Sequence, residues 1–375
     1  MNKITITLLP FLLAGFVLPD DSCKKNITPT PVVNQSDGPY VLYQADKVYV
    51  KYIIDENGSR SVKEESFPVA EKGSLSLTVL TDEPGKTFDV KIKSEFQNEK
   101  SDFNDVGTRF IISDIEGNFR AFRQLLQGNN IIDSNLNWTF GKNHLVLTGD
   151  FVDRGIMQTE VLWLIYSLEE KAKAAGGYVH YVLGNHEIMN MSGDLRYLNP
   201  KYAANAALLQ QNYVSLLGEN SELGRWLRTK NVIEKVGDAL FCHAGISAAV
   251  NSLDLSTSKI NKLVRPYYAD SVYKYNKTET ELLYSDLGPF WYRGYYYGDA
   301  RASMAQVDST LSSYRVKNVI TGHTVVSDTI NVSYTGKIIT TDVHHAVGHI
   351  EALLIEDGHY YRVTALGEKF LMMTR

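Results

Sequence analysis

The sequence predicts a layered α/β domain preceded by a small all-β module. From about residue 105 onward, short apolar, β-rich runs alternate with runs of helical periodicity, which is the pattern of an α/β fold. Residues 39–98 instead show strand periodicity interrupted by turn signals such as Glu56-Asn57-Gly58. The chain has 375 residues, 44% of them hydrophobic, which is enough to bury a sizeable core.

The elements of the α/β domain follow from the positions of these runs. The strands that we expect to carry the site are 109–112, 144–147, 178–183, 240–242 and 316–320. The predicted helices are 119–127, 159–174, 202–217 and 223–229. Later strands at 329–332, 337–341, 349–355 and 360–366 are expected to complete a second sheet.

Each of the five site strands is followed by a polar motif. The motifs are Ser113-Asp114-Ile115-Glu116-Gly117-Asn118, Gly149-Asp150-Phe151-Val152-Asp153-Arg154-Gly155, Gly184-Asn185-His186-Glu187, His243-Ala244-Gly245 and Gly322-His323-Thr324. In layered α/β folds, ligands bind beyond the carboxyl ends of the strands. We therefore expect the five motifs to converge on one site.

The residue types in these motifs indicate metal-dependent phosphoryl chemistry. Divalent ions that activate water take carboxylate, amide and imidazole ligands. Two such ions about 3.5–4 Å apart can stabilise both oxygens of an in-line displacement at phosphorus. Arg154 offers a planar donor fork for phosphate, and His186 could protonate a leaving oxygen. The candidate metal ligands are Asp114, Glu116, Asp150, Asn185, His243 and His323.

In this order and spacing, the five motifs resemble the calcineurin-like metallophosphoesterase superfamily, and within it the phosphoprotein-phosphatase branch. The resemblance extends over roughly residues 106–346. Two further runs are similar to the Shewanella-like phosphatases, namely Met189-Asn190-Met191-Ser192-Gly193-Asp194-Leu195-Arg196-Tyr197 and Gly288-Pro289-Phe290-Trp291-Tyr292-Arg293-Gly294. The resemblance implies two packed sheets flanked by helices and a phosphomonoesterase activity, on phosphoproteins modified at tyrosine or at serine and threonine.

The resemblance also implies a role for each motif residue. Asp114 and residue 116 would hold the first metal, Asp150 would bridge, and Asn185, His243 and His323 would hold the second metal. Asp153 would orient His186, the general acid, while Arg154 and Arg293 would grip the phosphate. Hydroxide bridging the two ions would attack phosphorus without a covalent phosphoenzyme.

One position departs from the family pattern, because Glu116 stands where the family has histidine. A carboxylate can still ligate, and a first site of Asp114, Glu116 and Asp150 would be rich in oxygen. We therefore expect two divalent ions, with Mn²⁺ or Mg²⁺ favoured over iron or zinc at the first site. Alternatively, Glu116 ligates poorly, and the chain is a surface binding protein that has lost its first metal and its activity.

The N-terminal residues predict export. Residues 1–22 contain an apolar stretch from 4 to 17, which is typical of a secretory signal and short for a membrane span. Cys23 follows and resembles a bacterial lipoprotein attachment site, although Pro19-Asp20-Asp21-Ser22 lacks the small apolar residues of that pattern. Lipidation, ordinary cleavage and an intact tether stay open. Residues 23–38 are a flexible tether, and the protein is expected in the bacterial periplasm or anchored to a membrane.

The substrate is less constrained than the chemistry. The net charge of −5 does not predict a surface for a nucleic-acid duplex. A phosphoprotein fits the family, whereas export favours a nucleotide, a sugar phosphate or another small phosphoester, including a diester. Residues 252–297 are rich in tyrosine, which predicts either a cleft that stacks on a flat group or rings that cap the core.

Several residues outside the motifs have more than one interpretation. His344, His345 and His349 could form a metal cluster, Asp342 and His344 could support the site, or all could lie at the surface. Asp194 and Arg196 could contact substrate or pair with each other. Residues 39–98 could dock a partner or pack on the catalytic domain. Cys242 is expected in the core, with no disulfide to Cys23.

Overall fold

The computed structural model describes residues 35–104, 106–270, 275–298 and 301–375. The signal segment, Cys23 and most of the tether lie outside these ranges, so the predictions of export and lipidation stay predictions. Within the described ranges, no helix has the length and apolarity that crossing a membrane would require.

The described chain begins with five strands. They are β1 (Asp37–Gln44), β2 (Lys47–Glu56), β3 (Ser59–Pro68), β4 (Ser76–Leu80) and β5 (Thr87–Lys91). The first three form an antiparallel sheet in the order β1-β2-β3, and β4 pairs with β5 as a hairpin. The turn between β2 and β3 has positive φ at both Asn57 and Gly58, as a tight hairpin requires. β3 was not predicted, because its side chains are mostly polar and exposed.

These five strands pack directly on the catalytic domain. The indole of Trp163 donates a hydrogen bond to the carbonyl of Pro39 at 2.8 Å. Arg123 forms a bidentate pair with Asp82, with both N···O distances at 2.7 Å. Apolar side chains of the strands, such as Val48, belong to the same hydrophobic cluster as the helices of the domain. The N-terminal strands are therefore structurally continuous with the domain.

The catalytic domain contains the remaining strands and helices. The strands are β6 (Asp102–Phe103), β7 (Arg109–Ile112), β8 (His144–Leu147), β9 (Tyr178–Tyr181), β10 (Ile233–Val236), β11 (Ala239–Cys242), β12 (Asn318–Thr321), β13 (Asn331–Ser333), β14 (Ile338–Thr340), β15 (Glu351–Glu356), β16 (His359–Thr364) and β17 (Lys369–Thr374). The helices are α1 (Phe119–Gly128), α2 (Gln158–Ala174), α3 (Asn185–Ser192), α4 (Pro200–Leu208), α5 (Tyr213–Leu216), α6 (Glu222–Leu227), α7 (Ala248–Asn251), α8 (Thr257–Val264), α9 (Thr278–Tyr284) and α10 (Met304–Tyr314).

The strands form two six-stranded sheets that pack against each other. Their orders are β13-β14-β12-β11-β10-β6 and β17-β16-β15-β7-β8-β9. Side chains from both sheets, including Ile111, Val146, Phe241 and Ile339, form one buried cluster. The neighbours β7, β8 and β9 are parallel, as are β11, β12 and β14. This confirms the predicted two-sheet sandwich and directs the carboxyl ends of its central strands toward one region.

Other details also differ from the sequence prediction. The late strands do not all complete one sheet, because β14 pairs with β12 whereas β15 pairs antiparallel with β7. The helix predicted at 202–217 is two helices, α4 and α5. They are separated at Gln210, which has a positive φ, and Asn212 caps the second helix. β17 was not predicted, because it is a largely exposed edge strand.

Replacing Trp163 with alanine should lower the free energy of unfolding by about 3–5 kcal/mol, because a fully buried indole is lost. Trp163→Phe keeps much of the packing and should cost about 1–2 kcal/mol, in part through the lost hydrogen bond to Pro39. Denaturant titration followed by circular dichroism measures both values. Since Trp163 joins the N-terminal strands to α2, we expect one cooperative transition, and separate melting of those strands would contradict this packing.

Candidate active site

The five motif loops converge on a cavity of about 460 Å³. Eight of the ten predicted site residues line it: Asp114, Glu116, Asp150, Arg154, Asn185, His186, Arg293 and His323. The other two, Asp153 and His243, are fully buried, and each contacts a lining residue. The structure thus brings together every residue that the motifs nominated. The chemical role of each one stays a prediction.

Three of these side chains form a compact group that could hold a metal ion. One ligand atom each from Asp150, His243 and His323 lies within 4.8 Å of the other two. Asn185 adds an amide oxygen 2.9 Å from His243 Nε2, and Asp150 Oδ2 lies 3.0 Å from the same nitrogen. In the part of the chain that the structure describes, this is the one such group of three or more.

The hydrogen bonds of the two imidazoles leave suitable nitrogens for a metal. His243 Nδ1 donates to the carbonyl of Thr148 at 2.7 Å, so that Nε2 faces the group. His323 Nε2 lies 3.3 Å from the carbonyl of Trp291, which leaves Nδ1 as its free nitrogen. A carboxylate, an amide oxygen and two oriented imidazoles are a donor set that fits a divalent ion.

The electrostatics of the group also favour a cation. Burial opposes a charge on His243, yet the carboxylate of Asp150 outweighs it and raises the pKa of His243 to about 10. Burial and the neighbouring His243 hold the pKa of His323 well below its ordinary value. One imidazole thus acquires a positive charge beside Asp150 while the other stays neutral. A divalent ion in this group would replace that proton.

The first predicted metal site is less compact. Asp114 accepts the backbone N–H of His323 at 3.1 Å, and burial raises the pKa of Asp114 to about 7. Glu116 points into the cavity, but its Oε1 pairs with the guanidinium of Arg154. Ligation of a metal by Glu116 therefore stays a prediction, and any such bond would share the side chain with Arg154.

The predicted general acid is held in place by a carboxylate. His186 Nδ1 lies 2.6 Å from Asp153 Oδ2, and His186 Nε2 lies 3.7 Å from Asp150 Oδ2. Burial lowers the pKa of His186, but the carboxylates of Asp150 and Asp153 outweigh burial and raise it. One carboxylate therefore orients the ring, and the two together favour its protonated form, which is the state that proton donation requires.

Aromatic side chains form the walls of the cavity beside these groups. The ring of Tyr197 lies 5.1 Å from the ring of His186, and the guanidinium of Arg154 lies 5.0 Å from the Tyr197 centroid. Trp291 lies in the run 288–294, and its ring is 5.9 Å from that of His323. The sequence contained both residues within the two Shewanella-like runs, but their position in the cavity was not predicted individually.

Most tyrosines in the described part of segment 252–297 cap the core and do not line the cavity. Tyr268 and Tyr295 are fully buried, and the hydroxyl of Tyr296 bonds to Thr321 at 2.8 Å. From the described part of that segment, only Trp291 and Arg293 line the cavity. Arg293 donates to the carbonyl of His323 at 2.9 Å, which holds its guanidinium at the cavity edge. The core interpretation of the tyrosines is therefore confirmed for these rings.

The residues after β14 divide between the site and the surface. Asp342 is buried and lines the cavity, and burial together with Asp114 raises its pKa well above the ordinary value. His344 also lines the cavity but is largely exposed, with Nδ1 3.1 Å from Asp328 Oδ1, and His349 lies near it at the surface. His345 is buried beside the cavity, and neither ring nitrogen has a hydrogen-bond partner among the described residues. The three histidines do not form a metal cluster within the described ranges.

Two other sequence-based alternatives are resolved. Arg196 pairs with Asp194, with Nη2 at 2.5 Å from Oδ2, which is the internal ion pair. Cys242 is fully buried and is a free thiol, as a core residue should be. Its predicted lack of a bond to Cys23 is untested, since that residue lies outside the described ranges.

Comparison with known proteins identifies the family. Residues 108–327 match the calcineurin-like phosphoesterase family, which is more than half of the chain. Members of this family generally use two divalent metal ions. The identity of the ions is a separate question, which the match does not address.

Similar proteins include phosphatases of distant organisms. The chain is 27% identical to Shewanella-like protein phosphatase 1 of Plasmodium berghei, over 62% of this chain and 66% of that protein. It is 25% identical to Shewanella-like protein phosphatase 2 of Arabidopsis thaliana, over 64% and 72% of the two chains. The crystal structure of a cold-active protein-tyrosine phosphatase from a psychrophilic Shewanella species is 33% identical, covers 90% of this chain and 99% of its own, and superimposes with a TM-score of 0.81.

The fold, the convergent motifs and these relatives agree. The Asp150, His243 and His323 group lies where the motifs of the family predict metal ligands. The chain therefore belongs to the calcineurin-like phosphoesterase family, and it is a phosphoric monoester hydrolase of the metallophosphoesterase type.

Proposed function

We propose that the chain is a metal-dependent protein phosphatase that acts on phosphotyrosine. The observation that carries this proposal is the aromatic wall at Tyr197, whose ring lies beside that of the proposed general acid His186 and under the guanidinium of the proposed phosphate ligand Arg154. A phenyl ring that enters the cavity with its phosphate at the metal group would lie against this wall. The similarity to the tyrosine phosphatase of Shewanella supports the same choice.

The residues of the cavity divide the work of hydrolysis. When bound, two divalent ions supply an activated water and neutralise the phosphoryl oxygens. Arg154 and Arg293 hold the phosphoryl group, because each guanidinium lies at the edge of the cavity. His186 protonates the departing phenolic oxygen, and Asp153 keeps the proton-donating nitrogen directed into the cavity.

We also propose that Glu116 links metal binding to phosphate binding. Its Oε1 is paired with Arg154, and the same carboxylate would be a ligand of the first ion. Arg154 is therefore held in the cavity by a carboxylate that an ion would also attract. An oxygen-rich first site of this kind supports Mn²⁺ or Mg²⁺ as the ion bound there.

Metal-stripped protein should regain hydrolysis of p-nitrophenyl phosphate and of phosphotyrosine peptides when titrated with Mn²⁺, in a saturable manner. Asn185→Ala should lower kcat by about 100-fold or more, because an amide ligand of the proposed second ion is removed. The exposed Asn135, remote from the cavity, provides a control variant, Asn135→Ala. Full activity of the metal-stripped chain without added metal would refute the metal-dependent mechanism. Full activity of Asn185→Ala would refute it as well.

His186→Ala should slow alkyl phosphates by about 100-fold or more but p-nitrophenyl phosphate by less than about tenfold. An alkoxide needs a proton to depart, whereas a nitrophenolate does not. Asp153→Asn should show the same pattern in weaker form, because it loosens the orientation of His186. Steady-state kinetics on both ester types give the comparison. Equal slowing of the two esters would show that His186 does not act as the acid.

Glu116→Gln should weaken the first Mn²⁺ site by about tenfold while leaving the second site intact, because one negative ligand is neutralised. Glu116→His should restore binding and shift the preference toward zinc. Isothermal titration of metal-stripped protein and metal analysis after loading report the stoichiometry and the preference. Unchanged Mn²⁺ affinity and stoichiometry in Glu116→Gln would show that Glu116 serves only Arg154.

A further inference from the structure

A second cavity lies beside the loop that carries Arg154. It has a volume of about 880 Å³, and two of its lining residues follow Arg154 by two and three positions in the chain. Three parts of the structure meet there: the turn between β4 and β5, the loop after Arg154, and the start of α4. Its apolar side chains are Leu80, Pro84, Ile156, Met157, Pro200 and Ala204. The N-terminal strands thus form one wall of a cavity next to the active site.

Almost every charged side chain of this cavity has an ionic partner. Asp82 is paired with Arg123, as described above. Glu83 pairs with Lys86 at 3.1 Å. Lys201 pairs with the buried Asp37 at 3.3 Å, which neutralises it in place. These pairs leave little net charge to attract a ligand.

Glu160 is the exception. It lies on the first turn of α2 at the floor of the cavity, with 1% of its surface exposed. Its Oε2 has no hydrogen-bond partner among the described residues. Burial and the nearby Asp37 raise the pKa of Glu160 well above its ordinary value, so a cation brought against this carboxyl group would stabilise its charged form and give Oε2 a donor. Apolar walls with a carboxyl group at the floor are complementary to an aliphatic chain that ends in a positive charge.

The walls of the cavity also hold the backbone of the active-site loop. Asn199 donates to the carbonyl of Arg154 at 2.9 Å, and Lys201 donates to the carbonyl of Ile156 at 2.7 Å. Ile156 is two residues from Arg154, and two residues of extended chain span at most about 7 Å. A peptide whose phosphorylated residue occupies the phosphate site could therefore place a neighbouring side chain in this cavity.

We propose that this cavity binds a lysine or arginine side chain of the protein substrate, a few residues from the phosphorylated position. The aliphatic stem lies against Leu80, Ile156 and Pro200, and the cationic end pairs with Glu160. This inference rests on the proposed protein phosphatase function and adds a sequence preference to it. An acidic side chain would find both lysines of the cavity already paired, and a purely apolar one would leave the Glu160 carboxyl group without a partner.

A series of peptides, each with a single lysine at a different position, tests the proposal. The probes are phosphotyrosine peptides with lysine at each position from four before to four after the phosphotyrosine, each paired with a norleucine peptide that keeps the stem but lacks the charge. With the metal-loaded protein, one position should give about tenfold higher kcat/KM for lysine than for norleucine. Because p-nitrophenyl phosphate has no flanking residue, its turnover serves as the internal reference.

Matched variants identify the residue responsible. Glu160→Gln should remove the preference for lysine, whereas Glu83→Gln, at the same cavity but paired with Lys86, should keep it. If Glu160→Gln fails to fold, Ala204→Leu narrows the cavity and should remove the preference too. Ala207→Leu, exposed on the same helix, is its control. All four variants should hydrolyse p-nitrophenyl phosphate at the rate of the unaltered protein.

The outcomes separate this inference from the proposed function. Normal turnover of p-nitrophenyl phosphate and of all the peptides, without a positional preference for lysine, overturns the cavity's role and leaves the phosphatase intact. A preference for norleucine, or a preference lost equally in Glu83→Gln, also overturns it. No turnover of any ester by the metal-loaded protein overturns both.

Discussion

The buried carboxylate of Glu187 holds the site together. It accepts the backbone N–H groups of Asp150 at 2.9 Å, Phe151 at 2.7 Å and Gly184 at 2.7 Å, and the hydroxyl of Tyr181 at 3.0 Å. These donors belong to β9 and to the loops that follow β8 and β9, so one side chain fixes both loops. Burial and Asp150 raise the pKa of Glu187, while the backbone donors oppose that rise. Without these bonds Asp150 and its neighbouring ligands would lose their common position.

This anchoring matters because the loops have a strained backbone. The site residues with positive φ are Asp114, Glu116, Asp150, Asp153, Arg154 and His323. A residue other than glycine in this conformation costs roughly 1–2 kcal/mol, and such residues persist only where the surroundings fix them. This conformation lets the chain turn sharply after a strand, and five of these six side chains line the cavity. Gly184 shows how tight the fit is, since a Cβ there would lie 2.2 Å from Asp150 Oδ1. The strained backbone conformation is thus needed for these side chains to come together.

The sequence predicted the strands and their loops because each short apolar run was followed by a motif whose chemistry is visible in residue types. It predicted the convergence of nine residues for the same reason, and the family resemblance added Arg293. It did not predict that Glu116 pairs with Arg154, because that contact depends on how two loops 38 positions apart face each other. Tyr197 was hidden among many tyrosines, most of which pack in the core. Glu160 lies in a helix that is buried almost all round, so periodicity could not single out its unpartnered carboxyl group.

Arg154 would connect metal binding, phosphate binding and the second cavity. Its guanidinium pairs with Glu116, a proposed ligand of the first metal, and lies over the ring of Tyr197, against which we propose that an aromatic substrate packs. Its carbonyl accepts a hydrogen bond from Asn199, in the wall of the second cavity. Since its backbone has a positive φ of 54°, small changes at any of these contacts act on a residue that is already strained. Binding of metal, phosphate and a flanking peptide would therefore all act on Arg154 and its loop. This is a physical reason for the N-terminal strands to pack beside that loop.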